Sequence, residues 1–161
     1  MKLLHKLAIV ALTALTIVLS AHAQDPGTAP MRPAKAAERA AAINSIQIQL
    51  KAFRKGDYKT AVTYQSAGLR HMFASTDAFR AMMLRMYPQF AHFKSVQFSV
   101  ASCDSSGAHL AIPAAITGQD GVTIHAVYLM VREGKVYHVE GVAGGAQAPV
   151  DNAADVPSRD V

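Results

Sequence analysis

The hydrophobic pattern of this chain changes its period near residue 95, and that change limits the folds open to it. Before residue 95, apolar residues recur every three or four positions, which is the spacing of amphipathic helices. After residue 95, apolar and polar residues alternate over short runs separated by turn sequences, which is the pattern of half-buried strands. Helices first and an antiparallel meander second predict an α+β domain, with the sheet wrapped over the helical layer.

The first helix and its end are the clearest local features. A long helix is predicted over Ala34–Phe53, with one apolar stripe formed by Ile43, Ile46, Leu50 and Phe53. Lys55-Gly56-Asp57 should form a tight corner, because glycine suits the left-handed end of one helix and aspartate suits the cap of the next.

Two further helices are expected before the sheet. A short helix over Tyr58–Gln65 should turn Gln65 inward or sideways. Ser75 or Thr76 should cap a third helix with core spacing of its apolar residues, and Pro88 should end or kink that helix near Met86.

Four strands are predicted in the second half, and two-residue loops at Asp120-Gly121 and Glu133-Gly134 would set their register. Ile116 would then oppose His125, and Leu129 would oppose His138. Neither face of such a sheet is polar, so we expect one face to meet the helices and the other to meet a second subunit. This predicts a homodimer through the sheet. A bulge in either hairpin would swap the faces.

The N-terminus has the three parts of a cleaved secretory signal. Lys2 and Lys6 precede thirteen apolar or small residues over Leu7–Leu19, and Ala21-His22-Ala23 supplies an A-x-A site. The apolar run is shorter than the roughly 20 residues of a membrane span, so no stable membrane anchor is expected. We predict a signal peptide over 1–23, cleavage after Ala23, and a location in the periplasm or outside the cell.

The remainder is predicted to contain one domain. Residues 24–35 should be a flexible lead-in, residues 36–143 an α+β domain, and residues 144–161 a disordered acidic tail. One cysteine, Cys103, excludes an intramolecular disulfide, so the exported chain must fold through packing alone.

Charge is divided unevenly along the chain. Residues 32–94 hold eleven basic and three acidic residues, whereas residues 95–161 hold three basic and seven acidic ones. A basic face can bind anionic envelope polymers or can simply keep the protein soluble. Export argues against nucleic acid as a partner.

One cluster could carry acid–base chemistry. In the predicted register, His125, His138 and Glu140 share a sheet face, and a carboxylate beside an imidazole can transfer protons. The alternative is that these side chains only satisfy one another at the sheet edge. Tyr64, Tyr87 and Tyr128 are candidate ligand contacts, because an aromatic ring with a polar tip suits an apolar pocket. No spacing typical of a metal or nucleotide site occurs, and no metal or cofactor is expected.

Several short segments resemble an uncharacterised bacterial domain family of unknown function. They are Gln49–Asp57, Phe79 with Met82, Met83 and Tyr87, Asp120-Gly121 with Ala126-Val127-Tyr128, and Val139-Glu140-Gly141-Val142. The resemblance covers Ile46–Val142 and implies a cone akin to nuclear transport factor two and ketosteroid isomerase, with helices on a curved four-stranded meander. The last strand of such domains often carries a tryptophan, whereas this chain has none and Tyr137 is nearest.

The resemblance implies a fold that can enclose a pocket, but it carries no catalytic residue to this chain. We therefore predict an exported binding or interaction module whose ligand the sequence does not identify, with a small apolar molecule as one candidate. The alternative is a small isomerase- or hydratase-like enzyme that uses Glu140 with His138 or His125.

Overall fold

The structure is a computed structural model that describes residues 30–144. The predicted signal peptide, residues 24–29 of the predicted lead-in and residues 145–161 of the predicted acidic tail lie outside the described residues. Within 30–144, the chain forms five helices followed by most of one antiparallel sheet, which confirms the α+β class.

The helical layer precedes the sheet, as the change of period predicts. It consists of α1 (Ala36–Arg54), α2 (Tyr58–Thr63), α3 (Ala67–His71), α4 (Thr76–Met86) and α5 (Pro88–Ala91). The predicted break before Pro88 is confirmed, because α4 ends at Met86 and Pro88 begins α5. Helix α3 was not predicted, and the Ser66 hydroxyl caps it by accepting from the Leu69 amide at 3.1 Å.

The corner between α1 and α2 has the predicted chemistry. Gly56 adopts a positive φ of 70°, which glycine reaches without a steric penalty. Asp57 then caps α2 by accepting a hydrogen bond from the Thr60 amide at 3.0 Å. Hydrogen bonding from the Thr60 side chain, and secondarily from this amide, lowers the pKa of the Asp57 carboxyl, since it favours the charged form.

The sheet has six strands rather than the predicted four. They are β1 (Arg32–Pro33), β2 (Phe93–Phe98), β3 (Ser102–Cys103), β4 (His109–Gly118), β5 (Thr123–Glu133) and β6 (Val136–Gly144). Strands β2 and β3 both pair with β4, and their registers on β4 differ by one residue. The first predicted strand, marked in the sequence by the alternation of Val96, Phe98 and Val100, is therefore interrupted over 99–101. The further strand β1 comes from the end of the predicted lead-in and pairs with β3.

The predicted register of the β4–β5 hairpin was wrong by one residue. Ile116 pairs with Ile124, and His125 pairs with Ala115. The reason is the length of the loop: the Gly118 amide donates to the Val122 carbonyl at 2.9 Å, which leaves three residues in the loop instead of two. Gly121 closes this loop with a φ of 81°, as a three-residue hairpin with a glycine in the left-handed region does.

The β5–β6 register also differs from the prediction. Glu133 pairs with Val136 and Val131 with His138, because the turn consists of Gly134-Lys135. Further along, Met130 pairs with Val139 but Leu129 pairs with Gly141, so Glu140 is the extra residue of a β-bulge.

The corrected register separates a buried sheet face from an outer face. The inner face combines alternate residues of three strands, namely Leu110, Ile112, Ala114, Ile116, Ala126, Tyr128, Met130, Tyr137 and Val139, all of which are buried. The helices lie on this side, since α1 and α3 contact β6 while α5 contacts β4. In the register predicted from the sequence, the alternate β4 residues Leu110, Ile112, Ala114 and Ile116 would instead lie on the sheet face opposite Tyr128 and Met130.

Both edges of the sheet carry contacts from the helical part. At the β6 edge, the link between α2 and α3 pairs with Val139: the Ser66 amide donates to the Val139 carbonyl at 2.8 Å, and the Val139 amide donates to the Tyr64 carbonyl at 2.7 Å. At the β2 edge, the Arg39 guanidinium donates to the carbonyls of Phe98 at 3.0 Å and Ser99 at 3.2 Å. The helices thereby fix the position of the sheet at two points.

Within residues 30–144, none of the helices is long and apolar enough to cross a bilayer.

Candidate functional site

An apolar cavity of about 390 Å³ lies between the helices and the inner face of β5 and β6. Helices α1, α3 and α4 contribute its walls, and Phe90 and Tyr128 are buried beside each other with ring centroids 5.9 Å apart. Met72 also lines the cavity and is 76% exposed, which places it at the mouth. The volume is within the range of cavities that hold small molecules, roughly 300–1,000 Å³.

Aromatic side chains support the cavity wall through ring contacts. The Phe79 ring lies 5.9 Å from Phe53 and meets Phe73 edge-on at 5.0 Å, while Tyr87 meets Phe90 edge-on at 5.5 Å. Such contacts hold rings in fixed orientations.

Met82 and Met83 add flexible side chains to the same wall. Thioether side chains can adapt to ligands of irregular shape.

Three buried polar side chains interrupt this apolar lining, and they differ in how they are satisfied. The Gln49 amide nitrogen donates to the Ala61 carbonyl at 3.2 Å. The Gln65 Nε2 group and the Tyr128 hydroxyl are buried without a hydrogen-bond partner among the described residues. Burial raises the pKa of Tyr128, so its hydroxyl stays protonated and able to donate.

Of the three predicted ligand-contact tyrosines, the structure brings two to the cavity. Tyr87 and Tyr128 line it, from the end of α4 and from β5. Tyr64 lies outside the lining and instead contributes its carbonyl to the contact with Val139.

The three residues of the predicted acid–base cluster occupy different surroundings. His125 is exposed on the outer sheet face, and His138 is half-buried on the same face. His138 pairs with Val131, which lies six residues from His125 along β5. At about 3.3 Å per residue, their positions are roughly 20 Å apart. Glu140, at the bulge, is exposed and borders the cavity. The structure therefore brings neither imidazole into the cavity with Glu140.

A second polar cluster lies away from the cavity, around the first turn of α1. The Glu38 carboxylate accepts two hydrogen bonds from Arg32, at 2.8 and 2.9 Å, and one from the Lys35 amide at 2.8 Å. These bonds hold the pKa of Glu38 at about 2. The Cys103 thiol is buried 3.7 Å from the same carboxylate, and burial raises the pKa of the thiol.

No group of three or more His, Cys, Asp or Glu side chains in residues 30–144 is arranged to hold a metal ion. The acidic groups with lowered pKa bond instead to neighbouring protein groups. Asp104, for example, bonds to the His109 imidazole at 3.0 Å, and this contact is the main cause of its lowered pKa.

The polar residues of the cavity were only partly foreseen. The sequence placed Gln65 inward or sideways, and the structure buries it at 1% exposure, but its unpartnered amide could not be predicted. Gln49 was missed as a lining residue. The sequence does indicate that Gln49 is buried, because it lies with Ile46, Leu50 and Phe53 on the apolar stripe of α1.

The fold and the cavity define a small α+β domain with an apolar site of ligand size. A family model described as a domain of unknown function (DUF4864) matches residues 35–148, and the chain belongs to this family. This confirms the resemblance to an uncharacterised domain family. No curated protein and no solved structure shows a significant match to the chain.

Proposed function

We propose that the protein is an exported binding module that holds a small apolar molecule in the cavity between its helices and its sheet. The observation that carries the proposal is the cavity itself, about 390 Å³ in volume and walled mainly by aromatic, methionine and aliphatic side chains. Burying an apolar ligand there would remove its surface from water, at about 25 cal/mol per Å².

The proposed fold is the cone of nuclear transport factor two and ketosteroid isomerase, in a bacterial protein. Its support is the order of elements, with the helical layer packed on the inner face of an antiparallel meander and the cavity between them. The proposed location is the periplasm or the extracellular space, supported by the basic start, the apolar run and the A-x-A site of residues 1–23.

A homodimer through the outer sheet face is part of the proposal. On that face Leu129 is 40% exposed and Val136 is 45% exposed. His138 lies between these two residues on the paired strands β5 and β6. Its imidazole Nδ1 is buried and has no hydrogen-bond partner among the described residues. A second copy covering this face would shield these apolar side chains from water.

The binding proposal has better support than the alternative of acid–base catalysis. General acid–base catalysis requires the proton-transferring groups within hydrogen-bonding reach of the reacting atoms. Glu140 borders the cavity, whereas His125 and His138 lie on the outer face of the sheet. An enzyme using Glu140 with either histidine would need both on the same side.

Native mass spectrometry of the mature protein, purified gently from the periplasm, tests the binding proposal. A reproducible extra mass on each subunit would support it and would identify the ligand. Binding of the neutral dye N-phenyl-1-naphthylamine provides a second measurement, since its fluorescence rises in apolar surroundings.

A matched pair of variants locates the dye. Val142→Phe places extra volume in the cavity wall, and Val100→Phe makes the same change at a site that is 79% exposed and outside the lining. Dye binding should weaken at least tenfold in Val142→Phe, because the dye could enter only by displacing the new phenylalanine ring from the packed wall, which causes strain. Dye binding should be unchanged in Val100→Phe. Absence of both bound mass and dye binding would reject the binding proposal.

A further inference from the structure

Two unpartnered polar groups in the cavity lining, the Gln65 amide and the Tyr128 hydroxyl, define the chemistry of the ligand more narrowly than the apolar walls do. We infer that the ligand is a neutral apolar molecule with a carbonyl oxygen, which accepts hydrogen bonds from the Gln65 amide and the Tyr128 hydroxyl. This inference rests on the proposed binding function and adds the class of ligand.

The first step concerns the two unpartnered groups. Gln65 and Tyr128 are each 1% exposed, and both line the cavity. Leaving a buried polar group without a hydrogen bond costs about 1–3 kcal/mol of folding free energy. A ligand that forms hydrogen bonds with both groups would remove this cost. An amide Nε2 group can only donate, and a phenolic hydroxyl can donate one hydrogen bond. The complementary ligand atom is therefore an acceptor.

The second step concerns their relative position. Gln65 lies opposite Val139 at the edge of β6, and Val139 pairs with Met130 on β5. Tyr128 is two residues from Met130 and therefore on the same inner face. Gln65 and Tyr128 therefore line the same side of the cavity with β6 between them, and the inference places the polar group of the ligand at this side.

The third step concerns charge. Among the described residues that line the cavity, Glu140 is the one with a charged side chain, and no Lys, Arg or His is in the lining. A carboxylate ligand would leave water without gaining a cation and would lie in the negative potential of Glu140. A ketone, ester or amide has the acceptor oxygen without the charge. The rest of such a molecule would extend along the aromatic rings towards Met72 at the mouth.

Three probes with the same ring system test the inference. In 2-acetylnaphthalene the acceptor oxygen is present, in 2-ethylnaphthalene a methylene replaces the carbonyl at nearly constant shape, and 2-naphthoate carries a negative charge. Their affinities are measured by displacement of N-phenyl-1-naphthylamine from the mature protein. We expect the ketone to bind about tenfold more tightly than the ethyl compound, since each hydrogen bond adds a severalfold gain, and the naphthoate to bind least tightly.

Variants assign the preference to the two donors. Tyr128→Phe and Gln65→Met each keep the side-chain volume and remove the donor, so each should reduce the ketone preference about threefold while 2-ethylnaphthalene still binds. Retained binding of 2-ethylnaphthalene also shows that the variant is folded. Tyr137→Phe is the control, because the Tyr137 hydroxyl lies outside the cavity and donates to the Gly107 carbonyl; its preference should equal that of the wild-type protein.

The possible results separate this inference from the proposed function. Equal affinities of the ketone and the ethyl compound, or a preference that both variants retain, would overturn the carbonyl assignment and leave the binding function standing. Tightest binding of 2-naphthoate would overturn the neutral ligand. Failure of the dye and of all three probes to bind would reject the proposed function itself.

Discussion

Tyr128 and Tyr137 both lie buried on the inner face of the sheet, on neighbouring strands, but only one of their hydroxyl groups forms a hydrogen bond within the described residues. The Tyr137 hydroxyl donates to the Gly107 carbonyl at 2.6 Å, whereas the Tyr128 hydroxyl has no partner among the described residues. A phenol in the second situation lowers the stability of the empty protein, because its desolvation is not offset by a hydrogen bond.

The two tyrosines therefore predict opposite effects of the same substitution. Tyr128→Phe should raise the free energy of unfolding of the ligand-free protein by about 1 kcal/mol, since it removes an unpartnered hydroxyl. Tyr137→Phe should lower it by about 1–2 kcal/mol, since it leaves the Gly107 carbonyl without its donor. Urea unfolding of ligand-free protein measures both changes, and losses of equal size in the two variants would contradict the prediction.

Substitution of Gly107 by alanine should lower the stability of the protein, and part of the loss should depend on the side chain of Glu38, far away in sequence. The φ of Gly107 is 69°, and a Cβ there would overlap Glu38 Oε1. Gly107→Ala should destabilise by the cost of the left-handed backbone, about 1–2 kcal/mol, and further by displacing the Glu38 carboxylate from Arg32.

Gly134→Ala is the matched control, because Gly134 has a φ of 66° and open space around the position of a Cβ. In a Glu38→Ala background the additional cost of Gly107→Ala should disappear, so that both alanine variants lose the same free energy of unfolding. An unchanged difference in that background would show that Glu38 is not the cause.

The Arg32–Glu38 pair predicts part of the acid sensitivity of the fold. The pKa of Glu38 in the folded protein is about 2, below its ordinary value of 4.5. A depressed pKa contributes stability above pH 4.5, and this contribution is lost as the pH falls towards 2. Glu38→Gln should therefore flatten the decline of thermal stability between pH 4.5 and 2.

Glu140→Gln provides the comparison, since Glu140 is an exposed carboxylate and forms no salt bridge in the described part of the chain. Its stability should decline with acid as steeply as that of the wild-type protein. Identical acid profiles for Glu38→Gln and the wild type would contradict the role of the pair.

The outer sheet face predicts a variant that separates two subunits. If the proposed homodimer forms there, Leu129→Lys should convert it to a monomer at tens of micromolar, because each copy would bury an unpaired charge. Sedimentation velocity measures the state, and Val100→Lys, at an exposed site between β2 and β3, should remain dimeric. A monomeric wild-type protein at this concentration would reject the dimer.

Much of the helical half could be predicted because its signals are local. The apolar stripe of α1, the left-handed Gly56 and the Asp57 cap each depend on residues within a few positions, and all are found in the structure. The strands could be located by their alternation. Their number could not, because the interruption over 99–101 changes the pairing with β4 without a strong turn signal.

Sheet register and the cavity depend on information that short patterns do not contain. One additional loop residue beside Asp120-Gly121 placed His125 opposite Ala115 and changed which residues share a face. The bulge at Glu140 has the same kind of effect on β6. The cavity combines residues from helices and strands far apart in sequence, so Gln65 and Tyr128 could be recognised as parts of one lining only once that register was known.

The contacts at the two sheet edges also limit which main-chain groups are free to pair with another strand. An unprotected edge strand offers main-chain groups to any other strand and can start aggregation. At Val139 on β6 both main-chain groups are already bonded to the α2–α3 link, and Arg39 occupies the carbonyls of Phe98 and Ser99 at the end of β2. Addition of a foreign strand along these stretches would first have to displace the helices. The proposed homodimer would therefore use side chains of the outer face rather than these main-chain groups.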